Sequence, residues 1–268
     1  MAAKCLRSNG FLALSTAGTP LYYDYQVEIW KSIEYMERPA PTPAHAEFRP
    51  MQTIAVIDFE TTGMTGAGGR ATEIAAVLVR NGAIVGQYQS LMKTGAYVPP
   101  FIERLTGISN RMLVDAPAAE KVMTEVAAFT QGCPLIAHNA AFDRSFWKAE
   151  LALANVDPDP AHEFACTVLL ARRLYAEAPN CKLGTLAQYF ELPNAGRAHR
   201  ALADATVTAH LLLRMQRDLE RRYADELGDC PVDHGLLSRL QRAPLKALGA
   251  NVRAHAQAWQ RDRQLQLC

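Results

Sequence analysis

The sequence predicts an α/β protein in which a mixed sheet carries helices on its faces. Two patterns predict this fold. Short apolar strands come first as a meander, and strands then alternate with amphipathic helices. Of the 268 residues, 49% are hydrophobic and 21% are charged. That composition is typical of a globular protein with an apolar core and excludes a largely disordered chain.

The chain divides into three zones. Residues 1–50 are predicted to be an N-terminal extension that ends in a Pro-rich linker, because prolines at this density cannot continue a helix or a central strand. An apolar stripe at residues 27–33 predicts a short amphipathic helix within it. Residues 51–215 are predicted to form the main domain, and residues 216–268 a helical C-terminal extension.

The strands of the main domain follow from short apolar runs. These runs predict strands at residues 53–57, 73–79, 83–91 and 135–137. Between the second and third run stands Asn81-Gly82, the dipeptide that most strongly indicates a two-residue hairpin. The first three strands are therefore predicted to form an antiparallel meander.

The helices of the main domain follow from apolar residues at helical spacing. Five segments show this spacing: residues 118–130, 142–153, 168–175, 183–190 and 202–213. In the second of them, the stripe predicted to face the core consists of Phe142, Phe146, Ala149 and Leu153.

Charge and cysteine usage limit the class of protein. The net charge is +1, so no strong basic field indicates a nucleic-acid partner. Residues 51–213 hold 13 Lys/Arg and 15 Asp/Glu, which gives a net charge of −2. A domain with this charge is expected to bind a polyanion only if divalent cations cover some of its carboxylates. The six cysteines form no CxxC pair, and no apolar run reaches the length of a membrane helix. We therefore predict a cytoplasmic protein with reduced thiols and no membrane span.

Two carboxylates stand at the end of the first predicted strand. Asp58 and Glu60 lie two residues apart, so both side chains leave the strand on the same face. Two like charges at this distance are unfavourable unless a cation lies between them, and Mg²⁺ prefers oxygen ligands. Taken alone, the pair is more typical of a solvated acidic turn. The following residues, Thr61, Thr62 and Gly63, offer hydroxyls and close backbone approach to a bound nucleotide.

Two further polar patches stand where predicted helices begin. Asp143 falls in the first turn after the strand at residues 135–137, with Asn139 placed to cap that helix. Taken alone, the helix dipole is sufficient reason for an acid at this position. Asp204 lies near the start of the last helix, five residues after His199. Five helical residues turn by about 140°, so His199 can share the site of Asp204 only from a preceding loop.

In this order the three patches resemble the motifs of DEDDh 3′→5′ exonucleases, in particular the epsilon (proofreading) subunit of bacterial DNA polymerase III. The motifs read IDFETTGM at Ile57–Met64, HNAAFDRSFW at His138–Trp147 and HRALADA at His199–Ala205. The segment LTGI at residues 105–108 resembles a segment that the family has between the first and second motifs. The resemblance covers about residues 52–213. It implies a ribonuclease H-like, mixed five-stranded sheet with helices on both faces, outside which lie the N- and C-terminal extensions.

The resemblance also implies a two-metal mechanism. Two Mg²⁺ or Mn²⁺ ions are expected to be held by four carboxylates, those of Asp58, Glu60, Asp143 and Asp204, with His199 as the catalytic base. Asp58 is expected to bridge both ions. Glu60 and Asp204 are expected to favour the ion that carries the attacking water, and Asp143 the second ion. The expected product is a nucleoside 5′-monophosphate released from the 3′ end.

The expected substrate is a nucleic acid with a free 3′ end, in single-stranded or frayed DNA rather than RNA. Its contacts are expected at six positions: Thr61, Thr62, Gly63, Met64, Phe101 and Asn139. Met64 and Phe101 are expected to pack on the terminal base or sugar. Proofreading would add a DNA polymerase or a sliding clamp as partners of the extensions, since residues 264–268 faintly resemble a clamp-binding pentapeptide.

Two alternatives remain open at this point. The first is an RNA-trimming exoribonuclease of the same superfamily, which would use identical catalytic residues and differ in how it treats the 2′-hydroxyl. The second is a non-catalytic module that binds nucleic acid or a polymerase. The presence of all four carboxylates and the histidine argues against that module.

Overall fold

The computed structural model describes residues 52–193 and 195–267. Its centre is a five-stranded sheet in the order β3-β2-β1-β4-β5. The strands are β1 (Ile54–Thr61), β2 (Ala71–Arg80), β3 (Ala83–Leu91), β4 (Leu135–Ala137) and β5 (Phe164–Cys166). The first three pair antiparallel, whereas β4 pairs parallel to both β1 and β5. The predicted mixed sheet is therefore confirmed.

Helices surround the sheet in the described part of the chain. They are α1 (Pro100–Thr106), α2 (Asn110–Val114), α3 (Ala119–Phe129), α4 (Ala140–Leu153), α5 (Thr167–Leu174), α6 (Leu183–Tyr189), α7 (Ala201–Arg222), α8 (Ala224–Leu227), α9 (His234–Leu240) and α10 (Leu248–Leu267). Short 3-10 helices lie at Thr65–Ala67 and Leu245–Ala247. Within these residues, no helix combines the length and the apolar character needed to cross a membrane.

The hairpin between β2 and β3 forms where the sequence predicted it. Asn81 and Gly82 have φ angles of 52° and 76°. A two-residue turn with positive φ at both positions matches the twist of its flanking strands, and Asn-Gly adopts it at low cost. Strand β1 is longer than predicted, because β2 pairs with it from Ile54 to Thr61. The sequence patterns did not locate α1, α2 or β5.

Alternate residues of β1 face two different apolar layers. Ile54 and Val56 pack in the cluster that includes α7, whereas Ala55, Ile57 and Phe59 pack in the cluster that includes α3 and α4. Because side chains alternate along a strand, Asp58 and Glu60 emerge on the α7 side. Burial of each large apolar side chain contributes about 1.5–3 kcal/mol, so a one-residue slip of this strand is strongly disfavoured.

The buried face of α4 differs from the predicted stripe. Leu153 is 52% exposed, whereas Asp143, Phe146, Trp147 and Glu150 are buried. The prediction was right for Phe146, and Phe142 packs partly buried against the same core, but it was wrong for Leu153. It missed Asp143 and Glu150 because a search for apolar spacing cannot find buried carboxylates. Each of these carboxylates has a partner on another element.

Glu150 holds the segment that enters β2. Its Oε1 accepts hydrogen bonds from Arg70 Nε at 2.9 Å and from the Ala71 N–H at 3.0 Å. Its Oε2 accepts from Arg70 Nη2 at 2.9 Å. Glu150 is 1% exposed, so these contacts compensate the desolvation of its charge.

Replacing Glu150 by Ala is expected to lower the free energy of unfolding by about 3–5 kcal/mol, because it leaves a partly buried guanidinium and a buried N–H without a partner. Urea denaturation measures this loss. Glu120→Ala, at an exposed position on α3, serves as the control and is expected to change stability by less than about 1 kcal/mol. Equal losses in the two variants would contradict the assigned role of Glu150.

The C-terminal residues are helical, as predicted. Helix α7 runs through the predicted boundary between residues 215 and 216, and apolar residues of α9 and α10 belong to the same cluster as those of α5 and α7. The Gln241 side chain also accepts a hydrogen bond from the Cys166 N–H of β5 at 2.8 Å. The division into domains stays a prediction. The N-terminal zone, with its expected helix, lies outside the described residues.

Candidate active site

The candidate site forms where β1 continues past β4. Strand β4 pairs with β1 only at Ala55 and Val56, so the later residues of β1 have no parallel neighbour. Asp143, on the first turn of α4, takes this place. Its Oδ1 accepts a hydrogen bond from the Phe59 N–H at 3.2 Å. The interruption of the sheet thus brings a carboxylate of α4 to the backbone between Asp58 and Glu60.

Helix α7 brings the remaining groups from the other side of the sheet. Asp204 lies in its first turn, and its Oδ2 accepts a hydrogen bond from the His199 N–H at 3.1 Å. His199 is exposed and lies on the loop before α7, which is the placement that the spacing argument required. Glu60, His199 and Asp204 each offer one ligand atom, and these atoms all lie within 4.8 Å of one another.

Burial and mutual repulsion raise the pKa values of Asp58 and Glu60. The pKa of Asp58 lies well above its usual range, first because of burial and then because of the charges of Asp143 and Glu60. Burial also raises the pKa of Glu60 to about 8, with Asp204 adding to the effect.

The pKa values of the other two carboxyls, those of Asp143 and Asp204, are also raised. Burial raises the pKa of Asp143 to about 7, against the stabilising hydrogen bond from the Phe59 N–H. Burial raises the pKa of Asp204 as well, and the His199 N–H opposes that rise. Four carboxyls in one site therefore cannot all be charged at neutral pH without a compensating cation.

The donor set fits hard divalent cations. Carboxylate oxygens are the ligands that Mg²⁺ and Mn²⁺ prefer in proteins. A bound cation would remove the repulsion between the carboxylates that raises their pKa values. This repulsion therefore favours the binding of a cation.

The loop between β1 and β2 is held by its own polar groups. The Thr61 hydroxyl donates to the Gly63 carbonyl at 2.9 Å, and the Thr62 Oγ1 accepts from the Arg70 N–H at 3.0 Å. A Cβ on Gly69 would lie 2.6 Å from the Gly63 carbonyl oxygen, so this position needs glycine. Gly69 was not singled out from the sequence, although the run of glycines at 66, 68 and 69 was a usable signal.

Met64, Phe101 and Asn139 are the other three predicted substrate contacts, and their contact with substrate stays a prediction. Met64, in the same loop, and Phe101, on α1, are each 60% exposed and leave apolar surface uncovered. The expectation that the Asn139 side chain caps α4 is wrong. Asn139 precedes α4 with a φ of 69°, and its side chain accepts no capping hydrogen bond. A side chain that caps a helix normally belongs to a residue with extended backbone, and the left-handed conformation prevents this.

Glu73 and Arg200 are two further charged residues at the site that the sequence patterns did not indicate. Glu73 lies opposite Glu60 in the β1–β2 ladder and is fully buried. Arg200 follows His199 and forms an ion pair with Glu73. The charge of Arg200 lowers the pKa of Glu60, whereas that of Glu73 raises it. No apolar pattern could have revealed the pair, since its members are far apart in sequence.

Comparison with known proteins identifies the family. Residues 55–212 match the exonuclease family RNase_T. The chain belongs to this family of exonucleases, and the prediction that it is an exonuclease is confirmed.

Curated relatives are much longer than this chain. A PolC-type DNA polymerase III of Caldanaerobacter subterraneus is 36% identical over 165 residues, which are 62% of this chain and 12% of that protein. A 3′-5′ exonuclease DinG of Bacillus subtilis is 36% identical over 171 residues, which are 63% of this chain and 18% of that protein. The chain thus spans less than a fifth of these two relatives.

Solved structures share the fold. E. coli exonuclease I, in complex with a dT13 oligonucleotide, is 16% identical with a TM-score of 0.57, covering 66% of this chain and 43% of that one. The nuclease domain of 3′hExo, a DEDDh family member bound to rAMP, is 20% identical with a TM-score of 0.54. That alignment covers 63% of this chain and 93% of that domain. These likenesses confirm the expected fold of DEDDh nucleases.

Proposed function

We propose that this protein is a metal-dependent 3′→5′ exonuclease that acts on single-stranded or frayed DNA. The observation that carries the proposal is that four carboxyls lie close together beside an exposed histidine. Glu60, Asp204 and His199 offer ligand atoms within 4.8 Å of one another. The charges of Asp143, Glu60 and Asp204 all act on the buried carboxyl of Asp58. The similarity to a DinG 3′-5′ exonuclease and to a PolC-type polymerase supports the direction of digestion and DNA as the substrate.

The four carboxylates would hold two Mg²⁺ or Mn²⁺ ions. When bound, such ions supply positive charge at the phosphate and make water a better nucleophile near neutral pH. The protein contributes the arrangement of the ligands. Strand geometry fixes Asp58 and Glu60, the Phe59 N–H fixes Asp143, and the His199 N–H fixes Asp204.

His199 accepts the proton of the attacking water in this proposal. Its ring nitrogen is within 4.8 Å of carboxylate oxygens of Glu60 and Asp204, and the side chain is open to solvent. The water oxygen forms a bond to the phosphorus of the terminal phosphodiester while the bond from that phosphorus to the 3′ oxygen of the preceding nucleotide breaks. This 3′ oxygen takes up a proton from solvent and becomes the hydroxyl end of the shortened strand. The released product is a nucleoside 5′-monophosphate.

In this proposal the terminal nucleotide contacts the backbone of Thr61, Thr62 and Gly63 after β1. Asn139, at the start of α4, is a further proposed contact. Met64 and Phe101 offer exposed apolar surface to the terminal base, and base stacking on such side chains is tolerant of sequence. Because few phosphates are contacted at a strand end, the near-neutral charge of the chain is compatible with this role.

A digestion panel tests the proposal. Single-stranded DNA, mismatched primer-template DNA and single-stranded RNA are each incubated with Mg²⁺ and either the wild-type protein or Asp143→Ala. We expect stepwise shortening of a 5′-labelled DNA strand by the wild type and none by the variant. Faster removal of mismatched ends would support proofreading. Preference for RNA would favour the exoribonuclease alternative, and an inactive wild type the non-catalytic module.

A polymerase or sliding clamp remains a proposed partner of the extensions. The segment that faintly resembles a clamp-binding pentapeptide is residues 264–268. Residues 264–267 lie at the end of α10, and Cys268 lies outside the described residues. Clamp-binding and proofreading are proposed on the resemblance to replicative exonucleases alone.

A further inference from the structure

Glu73 is a buried carboxylate that has no part in the proposed chemistry. It is fully buried beneath the start of α7. Its Oε2 accepts hydrogen bonds from Arg200 Nε and from the Ala201 N–H, both at 3.0 Å. Its Oε1 accepts from Arg200 Nη2 at 2.6 Å and from Gln89 Nε2 at 3.4 Å. The carboxylate thus binds both residues that directly follow His199.

The turn at His199 is held from two sides. Asp204 accepts the His199 N–H at 3.1 Å, and Glu73 binds the two residues on the C-terminal side. The φ angle of His199 is 60°, in the left-handed region. Such a conformation costs about 1–3 kcal/mol in a residue with a side chain, so it persists only where the surroundings impose it.

We propose that Glu73 and Arg200 are positioning residues that hold the turn in the conformation that directs the His199 ring to the acidic site. The inference rests on the proposed function, in which His199 is the base. Without the ion pair, the backbone at His199 relaxes towards an extended or right-handed conformation, and the ring leaves Glu60 and Asp204. A displacement of about 1 Å in a catalytic group costs roughly a hundredfold in rate.

The pair formed by Glu150 and Arg70 supplies a matched control. It has the same chemistry as the pair formed by Glu73 and Arg200: a buried carboxylate that binds Nε and Nη2 of one arginine and the N–H of the following alanine. It holds the loop before β2 instead of the His199 turn. Variants of either pair should therefore lose stability, whereas only variants of the pair formed by Glu73 and Arg200 should lose the positioning of His199.

The test is a double-mutant cycle in the full-length protein with Mg²⁺ and single-stranded DNA. Glu73→Gln is expected to lower kcat by roughly 10- to 100-fold, with KM changed by less than about threefold. In the His199→Ala background it is expected to lower kcat by less than about twofold further, because the group it positions is gone. Arg200→Lys, which keeps the charge but not the bidentate geometry, should fall between Glu73→Gln and wild type.

The Glu150→Gln control and a hydrogen–deuterium exchange measurement, which does not require catalysis, complete the test. Glu150→Gln should lower kcat/KM by the same factor with and without His199. In the metal-free protein, Glu73→Gln should speed hydrogen–deuterium exchange of residues 195–204 and leave α3 protected. A Glu73→Gln effect of equal size in both backgrounds, or unchanged exchange at residues 195–204, would overturn the inference. An inactive wild type would overturn the proposed function, and the exchange measurement would still decide whether Glu73 holds the turn.

Discussion

Asp58→Asn is expected to lower nuclease activity more than about a hundredfold and, in the metal-free protein, to raise the free energy of unfolding. The carboxyl of Asp58 lies among the charges of Asp143, Glu60 and Asp204, which together with burial raise its pKa. An amide of the same shape removes one of these charges and relieves repulsion. It also removes a carboxylate that would hold the metal ions, so kcat should fall by about 10²–10³ or more.

Metal-dependent unfolding distinguishes the two effects of this substitution. Mg²⁺ at 100 times its dissociation constant should stabilise the wild type by about 2.7 kcal/mol, and Asp58→Asn by much less. Asp225→Asn, at an exposed position on α8, is the control and should leave both activity and metal response unchanged. An active Asp58→Asn variant, or one that is less stable than wild type without metal, would show that the site assignment is wrong.

The stability of the metal-free protein is expected to fall as pH rises from about 5 to 8. Burial raises the pKa of Glu60 to about 8 and that of Asp143 to about 7. In the unfolded chain both pKa values lie near 4, so between pH 4 and 8 the folded protein binds more protons than the unfolded chain. The free energy of unfolding therefore decreases with rising pH, and this stabilisation is lost as pH passes through 7 and 8.

Three histidines act in the opposite direction. Burial lowers the pKa of His138 to about 4 and also lowers the pKa values of His210 and His234. Their contribution to stability therefore falls as the pH decreases below about 6.5, the usual pKa of histidine. Urea denaturation in the presence of a chelator, for wild type and Asp143→Asn, separates the effect of the carboxyls from that of these histidines. The variant should show a smaller decline between pH 5 and 8, and Mg²⁺ should flatten the wild-type decline. A wild-type stability that rises over this interval relative to Asp143→Asn would contradict the prediction.

The parts of the fold that local sequence determines were predictable. Alternation along β1 placed Asp58 and Glu60 on one face, and the Asn81-Gly82 turn placed β2 beside β3. The loop position of His199 followed from its five-residue distance to Asp204. In each case the deciding interaction lies within a few residues, so a single sequence contains the information.

The parts that depend on distant partners were not predictable. Glu73 and Glu150 occupy buried positions because arginines 127 and 80 residues away bind them. An apolar pattern treats such positions as exposed, which is why only part of the buried face of α4 was predicted. Asn139 was misread for a different reason. Asn is a residue type that caps helices but also one that readily adopts the left-handed backbone, and here it adopts the latter.

The long separation between Glu73 and Arg200 has a consequence for the synthesis of this protein. The candidate site takes groups from Asp58 on the first strand to Asp204 on α7, and the His199 turn is anchored to a carboxylate that precedes it by more than 120 residues. A nascent chain that still lacks α7 has no Asp204, the last proposed metal ligand, and the His199 N–H has no Asp204 carboxylate to bind. The growing polypeptide is therefore expected to carry no nuclease activity until the closing helix has left the ribosome and packed on the sheet.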